Sequence, residues 1–235
     1  SFTLSSNVSV VRDGRYDYLE APNVSEQNSV TPRVALVFTP VPELTTKLMY
    51  TTSFRQPMAV LTTPDGYFLG GAGISQITEP ETVHSLELAG TYLVHPNLSL
   101  TLNTFYNRFQ NPHSLTTDVA TGKLLFTQGG TVDFVGFEAL GQYRLVDRFS
   151  LTLAHQFVRL GAEADDPYNT FRAPTERTIM FYPENVTKGL IEWRVARLAS
   201  VSVGGLYVYD SLGYTPAGAV VNTGSYALLN ANLLV

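Results

Sequence analysis

The stretch from Glu81 to Arg108, ETVHSLELAGTYLVHPNLSLTLNTFYNR, alternates apolar and polar residues over a length that few folds accommodate. Leu86, Leu88, Gly90, Tyr92 and Val94 fall on one face of an extended chain, and Glu87, Ala89 and Thr91 on the other, the period of two that defines a strand. After Val94-His95-Pro96-Asn97 the alternation resumes, with Leu98, Leu100 and Leu102 set against Ser99, Thr101 and Asn103. A soluble sandwich alternates as well, but its strands run to about five or six residues. A strand tilted across a bilayer needs roughly nine to eleven, and these runs are that long. The polar face mixes Glu, Asn, Thr and Ser as a wet barrel interior does, and tyrosines sit toward the ends of the apolar stripe as in an interfacial girdle. The pattern predicts an all-β fold, the wall of a transmembrane antiparallel β-barrel.

Composition agrees. Only 15% of the 235 residues are charged, against about 25% in soluble domains, so Ser, Thr, Asn, Gln and Gly fill many of the polar positions. No apolar run approaches the roughly 18 residues of a membrane-spanning helix, which leaves alternating strands as the one way to cross lipid with the backbone satisfied. Cysteine is absent and the net charge is −5, so disulfides and thiolate metal sites are excluded and nothing suggests a nucleic-acid surface.

The hairpin pattern recurs along the chain. Val8, Val10, Tyr16 and Tyr18 form a stripe that Arg12 interrupts, either by snorkelling or by marking a bulge. A polar linker, APNVSEQNS, leads to Val34, Leu36 and Phe38, and a turn at Pro40-Val41-Pro42-Glu43 leads to Leu48, Tyr50 and Phe54. Val135, Phe137, Ala139 and Tyr143 precede a turn at 145–148, with Phe149, Leu151 and Leu153 after it. Ile191, Trp193 and Val195 precede one at 196–200, with Val201, Val203, Tyr207 and Tyr209 after it. Between these hairpins lie long segments at 56–80, 110–130, 161–184 and 210–224, rich in Gly, Pro and Thr. Long and short connections thus alternate along about ten strands, as they do where short periplasmic turns oppose long extracellular loops.

Specific residues then match a known family. Gly14-Arg15-Tyr16-Asp17-Tyr18, the Pro-Arg strand Thr31 to Phe38, YTTSFRQP from Tyr50 to Pro57, Pro80 to Leu88 followed by Phe105-Tyr106-Asn107-Arg108, and Gly136-Phe137-Glu138 appear in the order and spacing of the barrel of TonB-dependent outer-membrane receptors. The chain resembles the C-terminal part of that barrel over nearly its whole length. A further Phe-Arg-x-Pro at Phe171 to Pro174 lies within a long segment and reads as chance. The resemblance implies an incomplete segment of a 22-stranded barrel, spanning residues 1–235 and lacking the plug domain, TonB box and signal peptide. It implies uptake, through TonB, of a scarce ligand such as a ferric siderophore, haem or cobalamin, in the outer membrane of a Gram-negative cell. The partners implied are the plug and remaining strands, the TonB complex, and outer-membrane lipid and lipopolysaccharide. No enzyme activity and no cofactor are implied. The alternative is a complete small barrel acting as a passive porin, or as a protease with a rim site where His84 would be the base.

Charges on the polar face, Arg15, Asp17, Arg55, Glu87, Asp133 and Glu138, are candidates to face a plug or ligand in the lumen, against the simpler reading that they pair across strands or are solvated. Tyr67, Phe68, Tyr168 and Phe171 in the long segments are candidate ligand contacts, with loop packing as the alternative. His84, His95, His113 and His155 lack the spacing of a metal site, and Glu163, Asp165 and Asp166 form a loop acid cluster without a calcium-loop pattern.

Overall fold

A computed structural model describes residues 2–5, 7–21, 24–57, 73–74, 79–117, 124–145, 148–165, 182–196, 199–215 and 219–234. In chain order the strands are β1 Phe2–Ser5, β2 Val8–Ala21, β3 Val24–Val41, β4 Leu44–Arg55, β5 Gly73–Ile74, β6 Glu81–His95, β7 Leu98–Gln110, β8 His113–Thr117, β9 Leu124–Gln128, β10 Thr131–Leu145, β11 Phe149–Asp165, β12 Asn185–Ala196, β13 Ala199–Tyr209, β14 Leu212–Tyr214, β15 Val220–Asn222 and β16 Tyr226–Leu234. Eleven of them form one antiparallel sheet in the order β1-β2-β3-β4-β6-β7-β10-β11-β12-β13-β16. Each is the sheet neighbour of the next in sequence, the meander expected of an up-and-down barrel wall.

The register keeps the stripe on one face. Leu88 pairs with Leu48 and Thr104, Leu102 with Gly90 and Ala139, Leu153 with Gly141 and Gly189, and Ile191 with Leu151 and Val203. Because directly paired residues share a face, these positions form the stripe face. Ser99, Thr101, Asn103, Glu87, Glu138, Gln142 and Lys188 lie on the other, polar face. Arg12 pairs with Val34 without a register shift, so the bulge reading is set aside and Arg12 interrupts the stripe as a strand residue.

At the short-turn end, Pro42-Glu43 and Pro96-Asn97 close tight hairpins. The Leu93 amide donates to Glu43 O (2.7 Å) and the Arg144 amide to Asn97 O (2.8 Å), which ties each turn to the following strand. The other end departs from the expected loops. The segment read as the linker APNVSEQNS is mostly strand: β3 begins at Val24 and pairs back through Tyr18 with Asn28 and Tyr16 with Val30. The 110–130 segment contains the β8-β9 hairpin, to which β5 pairs in parallel, and the 210–224 segment contains the β14-β15 hairpin.

Few described apolar side chains are buried: Val132, Val158 and Leu160 cluster together with Phe105 and Phe134 against them, Leu212 packs with Val220, and Val208 on β13 is buried as well. By register Val132, Val158, Phe105 and Phe134 lie on the polar face, near its long-loop end. Gly136 makes this packing possible, because a Cβ there would lie 2.5 Å from Phe105 Cζ and 2.3 Å from Phe157 O. The Phe105 ring lies across the space that only glycine leaves. No helix is long and apolar enough to cross a membrane, which has no bearing on crossing by strands.

Candidate functional site

Strand alternation sends every second side chain of the wall to the polar face, and most of the predicted site residues stand there. Arg15 and Asp17, two residues apart on β2, form an ion pair with Arg15 Nε 2.8 Å from Asp17 Oδ1. Glu87 accepts from Ser85 Oγ (3.1 Å) and from Asn103 Nδ2 (3.2 Å) across the β6-β7 pair. Glu138 lies opposite Asn103 and Gln156 and is exposed. Asp17 Oδ2, Asn103 Oδ1 and Asn107 Oδ1 are buried acceptors without a donor among the described residues.

Arg55 belongs to a larger constellation at the long-loop end. The register brings it opposite Glu81, and the two form an ion pair. The Glu81 side chain is 1% exposed, and its second oxygen accepts the His113 amide at 2.7 Å, so the first residue of β8 hangs from the first residue of β6. The His113 ring reaches Glu79 O at 3.2 Å, Asn111 Nδ2 donates to the Glu79 carboxylate at 2.9 Å, and the Glu79 amide donates to Gln128 Oε1 at 3.3 Å. Asn111 at φ 53°, with Gly129 and Gly130 also at positive φ, provides the sharp backbone turns that enter and leave the β8-β9 hairpin. A buried carboxylate is costly unless paired and hydrogen-bonded, and here Arg55 and the His113 amide meet that need.

Asp133 is not on the polar face. It pairs in register with Arg108 on the face of Tyr106 and Val135, the stripe face. There Arg108 donates two bonds to its carboxylate (2.9 and 3.1 Å) and the Tyr106 hydroxyl a third (2.7 Å). Charge type pointed inward, but the parity of the strand and the cross-strand cation decide otherwise. Glu81 and Arg108 stand in the Pro-Glu and Phe-Tyr-x-Arg motifs, and His113 in no motif at all; what makes them functional is partners brought from other strands by the register. Tyr67, Phe68, Tyr168 and Phe171 lie outside the described residues.

The chemistry available is that of recognition. His84 lies on the stripe face with Nδ1 2.9 Å from the Tyr50 hydroxyl, and His155 Nδ1 is 2.9 Å from the Thr187 hydroxyl. Among the described residues no three His, Cys, Asp or Glu side chains gather as a metal site.

A long-stranded meander with one apolar and one polar face, tight turns at one end and tethered hairpins at the other, defines the wall of an outer-membrane-type β-barrel. Residues 1–233 match the family described as TonB dependent receptor-like, beta-barrel, and the chain belongs to that family. No curated protein sequence matches it. Among solved structures, the siderophore receptor PirA from Acinetobacter baumannii is similar with a TM-score of 0.73 at 12% identity, covering 98% of this chain and 37% of that one. The FrpB iron transporter from Neisseria meningitidis gives 0.70 at 12% identity (97% and 36%). The ferric yersiniabactin uptake receptor FyuA from Yersinia pestis gives 0.68 at 14% identity (98% and 36%). The chain therefore spans about a third of the length of these receptors, and at such identities the likeness shows the fold. Receptors of this family are transporters of the Gram-negative outer membrane, not enzymes, which removes the rim-protease alternative.

Proposed function

We propose that this chain is part of the wall of a receptor that takes up a scarce, bulky ligand, a ferric siderophore being the first choice over haem or cobalamin, across the outer membrane with energy delivered through TonB. One observation carries the reading: a sheet of eleven strands has a continuous polar face whose long-loop end bears an ordered, charged constellation, in a chain of this receptor family. In this reading the polar face lines the lumen and meets a plug contributed by a part of the receptor outside residues 1–235. Arg15, Asp17, Arg55, Glu87 and Glu138 are the wall's contacts to that plug, while Tyr67, Phe68, Tyr168 and Phe171 contact ligand at the outer mouth. The stripe face meets lipid, with lipopolysaccharide at its upper edge. The neighbours named as siderophore receptors and iron transporters support the ligand class.

The test is uptake of radio-iron-loaded siderophores by cells displaying the full receptor. Accumulation is expected only while the proton-motive force and TonB are intact. In planar bilayers the purified receptor is expected to pass no steady current. A steady, substrate-independent conductance would instead identify a passive pore and overturn the proposal.

A further inference from the structure

The short-turn end of the polar face carries a cluster of opposite character to the acidic chain as a whole. Arg144 on β10 and Arg194 on β12 lie on that face, registered with Ser150 and Ser200 respectively, and Arg148 stands in the turn just before β11. With Ser150, Glu192 and Ser202 they line one cavity of about 530 Å³. Glu192 is the one acid in its lining, and its carboxylate accepts from Ser150 Oγ at 2.8 Å. Among the described residues none of the three guanidiniums forms an ion pair, so the site carries an excess of two positive charges on one rim. A second cavity, of about 320 Å³, shares Arg144, Ser150 and Glu192 and extends past Gln142 and Ser99 to Asn97 in the β6-β7 turn. Together they cross seven adjacent strands, from β6 to β16. At about 4.8 Å between strands and 3.3 Å per extended residue, that is a groove for roughly eight residues of peptide.

We infer that this groove holds an extended, acidic peptide segment of the receptor itself, lying inside the wall at its short-turn rim, with its carboxylates on Arg144, Arg148 and Arg194. Arginine forks bind carboxylates bidentately, and the length of the groove, with Asn97, Ser99 and Gln142 to serve a passing backbone, suits a strand of peptide better than a compact anion or a lipid headgroup. The inference rests on the proposed arrangement of a plug within this wall, and names the place and chemistry of one of its contacts.

The test places a photo-crosslinking p-benzoylphenylalanine at Ser202 of the full receptor in outer-membrane vesicles and maps the adduct by mass spectrometry. The expected adduct is intramolecular, to a segment outside residues 1–235 with two or more Asp or Glu within about eight residues. Its yield is expected to fall at least fivefold in R144Q/R194Q and to survive in R144K/R194K, which keeps the charge. An adduct to lipid, to a separate polypeptide or to a segment without acids would overturn the inference, as would no adduct, or one indifferent to R144Q/R194Q. The readout needs no transport, so failure of iron uptake with the expected adduct present counts against the transport proposal alone.

Discussion

Asp133 has a side chain 5% exposed on the stripe face of β10, where a lone carboxylate would be costly. It is tolerated because Arg108, itself 40% exposed, and Tyr106 supply three donors. The parity of its strand was legible, since Val135, Phe137 and Ala139 lie two, four and six residues further on. What the sequence concealed was the partner, which lies 25 residues away on β7 and is brought opposite only by the register. Asp133→Asn keeps the shape but replaces the charge-assisted bonds from Arg108 with neutral ones, and is expected to cost about 1–3 kcal/mol of stability. The loss should be read from urea unfolding of the folded receptor in vesicles. The loss should shrink when Arg108 is already Gln, because the charge-assisted bonds are then absent; additive losses would show that the two residues are not coupled.

At the scale of elements, the wall strands were legible because ten or more residues of alternation leave one reading, and Pro42 and Pro96 mark the turns. The small strands β8 and β9 were not. Each is five residues long, in a segment whose Gly, Pro and Asn content reads as loop, and their order depends on the tether from Glu81 to the His113 amide. The same limit hid the first residues of β3, where VSEQNS has too few apolar positions to show a period, yet pairs with β2 because the hairpin has already set the register. Glu81→Gln keeps an acceptor for the His113 amide but removes the charge that Arg55 matches. Amide exchange in β8 and β9 is expected to rise about tenfold, the equivalent of roughly 1.4 kcal/mol of local opening, while the centres of β6 and β7 keep their protection. Uniform loss of protection along β6 would show that Glu81 supports the wall itself rather than the hairpin.

For the whole molecule, the decisive fact is where apolar surface goes. Five described apolar residues are buried, whereas Leu88, Leu102, Leu153 and Trp193 are each at least half exposed on the stripe face. In water a sheet with such a face would have to fold against a second layer, and none lies against it among the described residues; the face is stable where lipid replaces water. The opposite face gains nothing from lipid, because Thr101, Asn103, Glu87 and Lys188 require hydrogen-bonding surroundings. The two faces should therefore respond oppositely to the same charge. Leu88→Lys and Leu102→Lys, near mid-strand, are expected to cost about 2–4 kcal/mol each in guanidinium unfolding of the receptor in vesicles. Thr101→Lys, at similar depth but on the polar face, should cost well under about 1 kcal/mol. Along the stripe the cost should decline toward the strand ends, reaching about 0–1 kcal/mol at Tyr92 near the turns. Equal penalties on the two faces, or no dependence on position along the strand, would mean that the stripe face is covered by protein and not by a bilayer.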